Sequence, residues 1–442
     1  MGEILHLGID DTDSPRMGCT TYVAALLVEK LGRLTSFIDY PNIIRLNPNV
    51  PWKTRGNGAL CLRISIDDKQ LDKVKEMVIK TIENNSDMPH PGTDPAAVFY
   101  LGKVTPDVAT FAKNTIQDIV TLDEALKLIK KHSAEAIGFK KGRGIIGALA
   151  AIGEQLLDDH TFELIAYRIP KNCGTPRKVD PASVAEMNQR TRNMTFNNID
   201  PETRRVLITP RGPDPILYGV RGENPEILKK AQKIIRVHEK TERWIIFRTN
   251  HGTDAHLKSV QRLDQIEPYR PTIAHGAVSA PPRLIPGRHI VFTIEDETGQ
   301  IDCAAYEPTG SFRNIIRQLI QGDLVEVYGG VRPAASNHPR TINLEKIKIL
   351  KLAPQIIHQN PLCLKCKKRM KSMGTAKGFR CDKCGARFPE AKKIPLAVPR
   401  NLKEGLYIPP LRAHRHLTKP GSRYGKERAG RPLKFSEPWH NP

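Results

Sequence analysis

Two rhythms of apolar residues alternate along the first third of the chain. Short unbroken runs, ILHLGI (4–9) and ALCLRISI (59–66), have the length and β-branched content of buried strands. TTYVAALLVEKLG, closed by Gly32, LDKVKEMVIKTIENN, TLDEALKLIKKH and IIGALAAIGEQLL have the pattern of helices, most of them amphipathic. Strands interleaved with helices predict a layered α/β domain over 1–158.

The rhythm then shortens. FELIAYRI reads as a strand, PEILKKAQKIIR as a helix and RWIIFRTN as a returning strand, enough for a small α+β domain over 159–272. Pro-rich text, PYRPTIAHGAVSAPPRLIPG, marks a linker. Beyond it HIVFTIEDETG, QIDCAAYEP, FRNIIRQLIQ, GDLVEVYGGVRP and TINLEKIKILKL run strand, strand, helix, strand, strand. That order over 273–353 predicts either a five-stranded oligonucleotide-binding barrel (OB-fold) or simply a small β domain. A cysteine-bearing module (354–390) and a basic tail (391–442) rich in Pro, Arg, Lys and His complete the chain, with no repeat visible.

Composition narrows the class. The 442 residues suit about three or four domains. Subtracting 47 Asp and Glu from 69 Lys and Arg leaves +22, the sign that attracts a polyphosphate partner such as nucleic acid. The longest apolar runs, YVAALLV and IIGALAAIG, fall well short of the roughly 20 residues that span a bilayer, so a soluble protein with no membrane partner is expected. Of eight cysteines, four are scattered and four fall in two CxxC pairs, which suits a reducing cytoplasm.

Cys363, Cys366, Cys381 and Cys384 form those pairs, 14 residues apart, and can fill the tetrahedron of a structural Zn²⁺; unrelated surface thiols or a redox pair are the alternatives. Asp10, Asp11 and Asp13 follow a buried strand, where they either hold Mg²⁺ beside nucleotide phosphates or merely form a turn. Thr20 and Thr21 stand where the next helix begins. One of them is either its N-cap or a phosphoryl acceptor at a helix start that stabilises anions.

Two basic, glycine-bearing stretches are equally open between solvated loop and phosphate cradle. One is RLNPNVPWKTRGNG, with Arg45, Lys53 and Arg55; the other is GFKKGRGIIGALAAIG, with Lys141, Gly142, Arg143 and Gly144. Neither has the Gly-Lys-Ser/Thr ending of a Walker loop. FRTNHGTDAHL (247–257) ends a strand in polar residues that either bind a small polar ligand or finish a turn.

GIDDTDSPRMGCTTY, RLNPNVPWKTRGNGA, GRGIIGALAAIG and FRTNHGTDAHL, followed by the expected barrel and zinc ribbon, occur in an order that closely resembles the archaeal tRNA(Ile) agmatidine synthetases over nearly the whole chain. The resemblance implies a kinase-like domain, a ferredoxin-like domain, an OB-fold and a zinc ribbon acting on the wobble cytidine of an isoleucine tRNA with the anticodon CAU. ATP would activate the carbon 2 oxygen and agmatine would displace it. By the same resemblance Asp10, Asp11 and Asp13 would hold Mg²⁺ and assist transfer, and Thr20 would be autophosphorylated. Lys53, Arg55 and the loop Lys141, Gly142, Arg143 and Gly144 would meet ATP phosphates, and Asn250, Thr253 and Asp254 would contact substrate. The chain departs from the family pattern at His251, where glutamine is expected. The rival reading is a non-catalytic RNA- or single-strand-binding protein, for which a barrel and a basic ribbon suffice. A Mg²⁺-dependent nuclease built on the aspartate turn is a third.

Overall fold

The apolar runs become strands whose alternate side chains face two different helix layers. The computed structural model describes residues 3–432 and 434–441. Its first part contains β1 (Glu3–Asp10), α1 (Thr20–Leu31), β2 (Ser36–Phe37), β3 (Asn42–Arg45), β4 (Gly58–Ile66), α2 (Leu71–Asn85), β5 (Ala96–Leu101), α3 (Pro106–Gln117), α4 (Leu122–Lys131), β6 (Glu135–Gly138) and α5 (Gly144–Gly153). Leu5, Leu7 and Ile9 of β1 and Leu60, Leu62 and Ile64 of β4 point to one face, against Val23 and Leu27 of α1 and Val74 and Val78 of α2. Ala59, Cys61, Ala96, Val98 and Tyr100 point to the other, against α3, α4 and α5. Each large aliphatic side chain so buried contributes roughly 1.5–3 kcal/mol.

Small residues let α5 lie almost backbone to backbone on β1. A Cβ at Gly8 would stand 2.1 Å from the Ala148 carbonyl oxygen. Arg63, fully buried, donates to the carbonyls of Ile152 and Glu154 at 3.1 and 3.0 Å and so closes the C-terminal end of α5.

The second part adds β7 (Thr161–Arg168), α6 (Pro181–Arg190), β8 (Thr195–Phe196), β9 (Ile216–Gly222), α7 (Pro225–Ile234) and β10 (Thr241–Thr249). β10 pairs with β7 on one side and, in parallel, with β3 on the other. The strands therefore form one continuous sheet, in the order β6-β5-β1-β4-β3-β10-β7-β9-β8, through both of the regions that the sequence separates.

The expected linker is a strand. β11 (Lys258–Ser259) leads into β12 (Pro271–Ile285), β13 (His289–Asp296), β14 (Gly299–Ala305), α8 (Phe312–Ile316), β15 (Leu324–Arg332) and β16 (Thr341–Lys351), and β12 pairs with both β13 and β15 to close a five-stranded barrel. Pro281 and Pro282 sit where the β12–β13 register shifts between Ala280 and Arg283, a bulge that needs no ladder N–H from them. Beyond the barrel, β17 (Gln355–Gln359), β18 (Lys371–Ser372), β19 (Phe379–Arg380), β20 (Arg387–Phe388) and β21 (Ile394–Val398) make a ribbon on a two-stranded stalk, β17 pairing with β21. Among the described residues no helix is long and apolar enough to cross a membrane.

The basic tail is built into the fold. β22 (Gly405–Tyr407) pairs with β16, and β23 (His440–Asn441) pairs with β10, where Phe435 and Trp439 pack on Tyr40. Arg423, fully buried, lies 2.9 Å from Glu223 and 2.9 Å from Asp159 and donates to the Gly252 carbonyl at 2.7 Å. Arg423→Ala would leave the buried Glu223 without its cation and Asp159 with Lys419 alone, so a loss of about 3–5 kcal/mol is expected. A melting curve checks this; a transition within a degree of the unaltered protein's would count against the tail as a staple.

Candidate active site

A cavity of about 820 Å³ opens where the C-terminal end of β1 meets the starts of α1 and α5. Asp10 ends β1, and Asp11 follows with φ +58°, a left-handed turn that aspartate tolerates and that directs both carboxylates into the cavity. Gly147 of α5 makes the approach possible, because a Cβ there would stand 1.9 Å from Asp10 Oδ2. Withdrawal from solvent raises the Asp10 carboxyl well above its ordinary range, and the charge of Asp11 raises it further. Asp11 is raised by the same withdrawal, opposed by Arg143, whose Nη2 donates to Asp11 Oδ2 at 3.2 Å. Asp13 is held differently, accepting from Arg55 Nε at 2.7 Å.

Two crowded carboxylates that resist ionisation fit a divalent cation, which restores their charge. Among the described residues, the three aspartates do not bring their oxygens within 4.8 Å of one another as a closed protein cage would. Mg²⁺, which keeps water and phosphate oxygens in its shell, does not require such a cage.

Thr20 begins α1 and faces the same cavity, while Cys19, not a threonine, is the N-cap and supplies no capping side-chain bond. Thr12 Oγ1 donates to Thr20 Oγ1 at 3.1 Å, whereas Thr21 Oγ1 lies 3.0 Å from Cys19 Sγ. Both threonines line the cavity with the carboxylates, Thr21 with its hydroxyl against Cys19.

Arg55 reaches Asp13, Asp214 at 3.1 Å and the Gly18 carbonyl at 2.7 Å, tying the basic loop to the aspartate turn. Lys53, Arg143 and Gly144 also line the cavity, while Lys141 is exposed and joins the turn only through its backbone N–H, 3.3 Å from Asp94 Oδ1. Gly142 takes φ +66° and turns the chain into α5.

Asn250, Thr253 and Asp254, expected to contact substrate, have their polar atoms committed to the protein and do not line the cavity. Asn250 accepts from the Arg45 N–H at 2.8 Å and donates to the Arg45 carbonyl at 3.0 Å, clamping β3. Thr253 donates to the Asn250 carbonyl at 2.6 Å, and Asp254 pairs with Lys346 of the barrel. Their neighbour His251 does line it, edge-on to His416 at 4.9 Å, and burial pushes its pKa down to about 3, so the imidazole is neutral.

Sequence reasoning missed Glu163, Asp214, Arg221 and the tail residues Arg412, Arg415 and His416, all of which line the cavity. Burial works against ionisation of Glu163, yet the guanidinium groups of Arg221 and Arg45 hold its carboxyl well below the usual range. A glutamate inside the apolar run FELIAYRI was a visible signal. Nothing in the tail's sequence pointed to Asn49, which Arg415 meets 366 residues back.

The ribbon brings Cys363 Sγ within 3.6 Å of Cys384 Sγ and Cys381 Sγ within 3.9 Å of Cys366 Sγ, all four thiols lying within 4.8 Å of one another. Thiolates about 2.3 Å from one Zn²⁺ stand about 3.8 Å apart at the corners of a tetrahedron, so the four fit that ion.

Residues 6–71 match the model of the TiaS TCKD domain, 142–256 the TiaS FLD domain, 283–350 the OB-fold nucleic acid binding domain and 360–402 the TiaS C-terminal zinc ribbon domain. The chain is 43% identical over 417 residues to the tRNA(Ile) 2-agmatinylcytidine synthetase TiaS of Pyrococcus horikoshii, covering 94% of this chain and 96% of that protein. A crystal structure of TiaS in complex with its isoleucine tRNA and ATP matches with a TM-score of 0.86 at 41% identity, over 95% of this chain and 97% of that one. A complex of TiaS with the same tRNA, AMPCPP and agmatine matches with a TM-score of 0.84 at 39% identity, over 95% and 96% of the two chains. With three of the family's own domain models matching in chain order and a relative 43% identical over 94% of the chain, the protein belongs to the tRNA(Ile) 2-agmatinylcytidine synthetase family.

Proposed function

We propose that this protein is an ATP-dependent ligase that converts the wobble cytidine of tRNA(Ile) with a CAU anticodon to agmatidine, so that the codon AUA is read. One observation carries the reading beyond family membership: Asp10, Asp11 and Thr20 face one cavity together with Arg55 and Arg143. A pyrimidine carbonyl oxygen is a poor leaving group, and phosphorylating it turns one hard displacement into two easier ones. In the first step the terminal phosphoryl group of ATP forms a bond to the carbon 2 oxygen as its phosphoanhydride bond breaks, and the bridging oxygen leaves on the remaining nucleotide. In the second the primary amine of agmatine forms a bond to carbon 2, loses a proton, and inorganic phosphate leaves with the original oxygen.

Asp10 and Asp11 are the residues that would hold Mg²⁺, whose charge would neutralise the phosphate oxygens of ATP. Asp11 is kept in place by Arg143 and by the Asp94 N–H at 3.2 Å. Thr20 is the hydroxyl that would take a phosphoryl group, with Thr12 donating to its oxygen. Arg55 and the start of α5 at Gly144 would receive phosphate charge, and the cytosine would reach them by leaving its stack, at a cost of a few kcal/mol. Cys363, Cys366, Cys381 and Cys384 would bind zinc in the ribbon, and barrel and ribbon would hold the tRNA largely by its backbone.

The test is to incubate the protein with ATP, Mg²⁺, agmatine and unmodified isoleucine tRNA, digest the RNA and weigh the nucleosides. A cytidine heavier by one agmatine less one water is expected. Intact RNA of unchanged mass would favour the passive binder, and shortened RNA without ATP would favour the nuclease.

A further inference from the structure

The loop 47–53 joins the cavity to the barrel. Asn47 Nδ2 donates to the Tyr269 carbonyl, just before β12, at 3.0 Å. Asn49 lies on β15 so closely that a Cβ at Gly330 would stand 1.9 Å from its Oδ1. Arg415 of the tail crosses the same place, donating to Asn49 Oδ1 while its Nε stands 3.7 Å from Glu345 of β16. On this sill sits Trp52, 46% exposed although it lines the cavity. Beside it Lys53 has no carboxylate partner among the described residues and donates only to the Val50 carbonyl at 3.3 Å. Burial and the nearby charge of Arg415 lower its pKa.

A half-exposed tryptophan beside two cations matches a nucleotide, whose base stacks on the indole and whose phosphate sits between the charges. We infer that Trp52, Lys53 and Arg415 form a subsite for one RNA nucleotide flanking the target cytidine, on the strand that passes from the barrel into the cavity. Position selects RNA over ATP as the source of that phosphate. The aspartate corner and the helix starts are built from the first part of the chain alone, whereas the sill is tied to the barrel at Tyr269, Gly330 and Glu345. Trp52 and Arg415 act here as positioning residues, orienting the strand so that the next base enters. The inference rests on the tRNA-modifying reading above, and it adds the tail, through Arg415, to the RNA-binding surface.

The experiment uses the full chain and the anticodon stem-loop of the isoleucine tRNA, with ATP binding measured separately. Trp52→Ala should raise the stem-loop Kd roughly tenfold, and Trp52→Phe should recover most of that loss. Arg415→Gln should weaken binding and reduce the salt slope of log K by about 0.7, one single-strand phosphate. ATP affinity should stay within about twofold in all three variants, a margin small beside the tenfold step. Of the other two tryptophans, Trp439 is buried and Trp244 packs against the core, so quenching by the stem-loop that disappears in Trp52→Phe reports the stack directly. An abasic nucleotide beside the target should remove that quenching, whereas an abasic target should not. Unchanged stem-loop affinity in Trp52→Ala, or quenching by ATP in place of RNA, would overturn the assignment. Absence of agmatine incorporation by the unaltered protein would instead sink the parent reading, and the binding measurements would still decide the subsite.

Discussion

The Asp10→Asn variant is expected to lose ATP-dependent RNA modification by about a thousandfold or more, the equivalent of several kcal/mol of charge stabilisation at the transferring phosphoryl group. Its fold should survive, because the amide has the carboxylate's shape and Gly147 leaves the same gap for it. In metal-free buffer the variant should also respond differently to pH. The folded-state pKa of Asp10 is raised, so between the ordinary carboxylate range and that raised value the folded protein binds more protons than the unfolded chain. Stability therefore falls as pH rises through that window, and Asn at this position removes the fall. Melting curves in a chelator at pH 4, 6 and 8 read it. A variant whose stability declines with pH as steeply as the unaltered protein's, or one that modifies tRNA undiminished, would remove Asp10 from the metal site.

Removing zinc should have the second large effect. Apart from the cysteines, the ribbon's buried core is little more than Met370 and Phe379, too little apolar area to fold a segment that includes three two-residue strands. Metal binding on the order of 10 kcal/mol supplies the difference. Cys381→Ser should therefore release zinc, disorder the ribbon and weaken full-length tRNA binding about tenfold or more, as expected when several basic phosphate contacts are lost. ATP affinity should persist, since the cavity is built from other elements and the returning tail is held by Arg423 and Trp439. Undiminished zinc content, or loss of ATP affinity in step with tRNA affinity, would contradict this division of labour.

Much of this was legible along the chain because it is local. ILHLGI and ALCLRISI are strands, and LDKVKEMVIKTIENN and PEILKKAQKIIR are helices, because period and burial coincide within each segment. The cysteine pairs announce their geometry by spacing alone. PYRPTIAHGAVSAPPRLIPG misled for an equally local reason: proline lowers strand propensity wherever it stands, and only pairing with β13 shows that the bulge accommodates it.

The aspartate corner and the threonine after it were visible because about ten residues carry both, and a strand followed by a helix start fixes their relation. Glu163, Asp214, Arg221 and Arg415 were not, since each reaches the cavity from a different part of the chain, and their meeting depends on β3 pairing with β10 and on the tail's return. Asn250, Thr253 and Asp254 show the converse. A polar cluster reads the same whether it faces ligand or backbone, and which it faces is set by the strand and barrel packed against it. Elements, cysteine spacing and net charge could thus be read from residue order, because each follows from composition or from neighbours a few positions apart. Which charges share a cavity could not, because long-range strand pairing and the returning tail bring together groups that no local pattern connects.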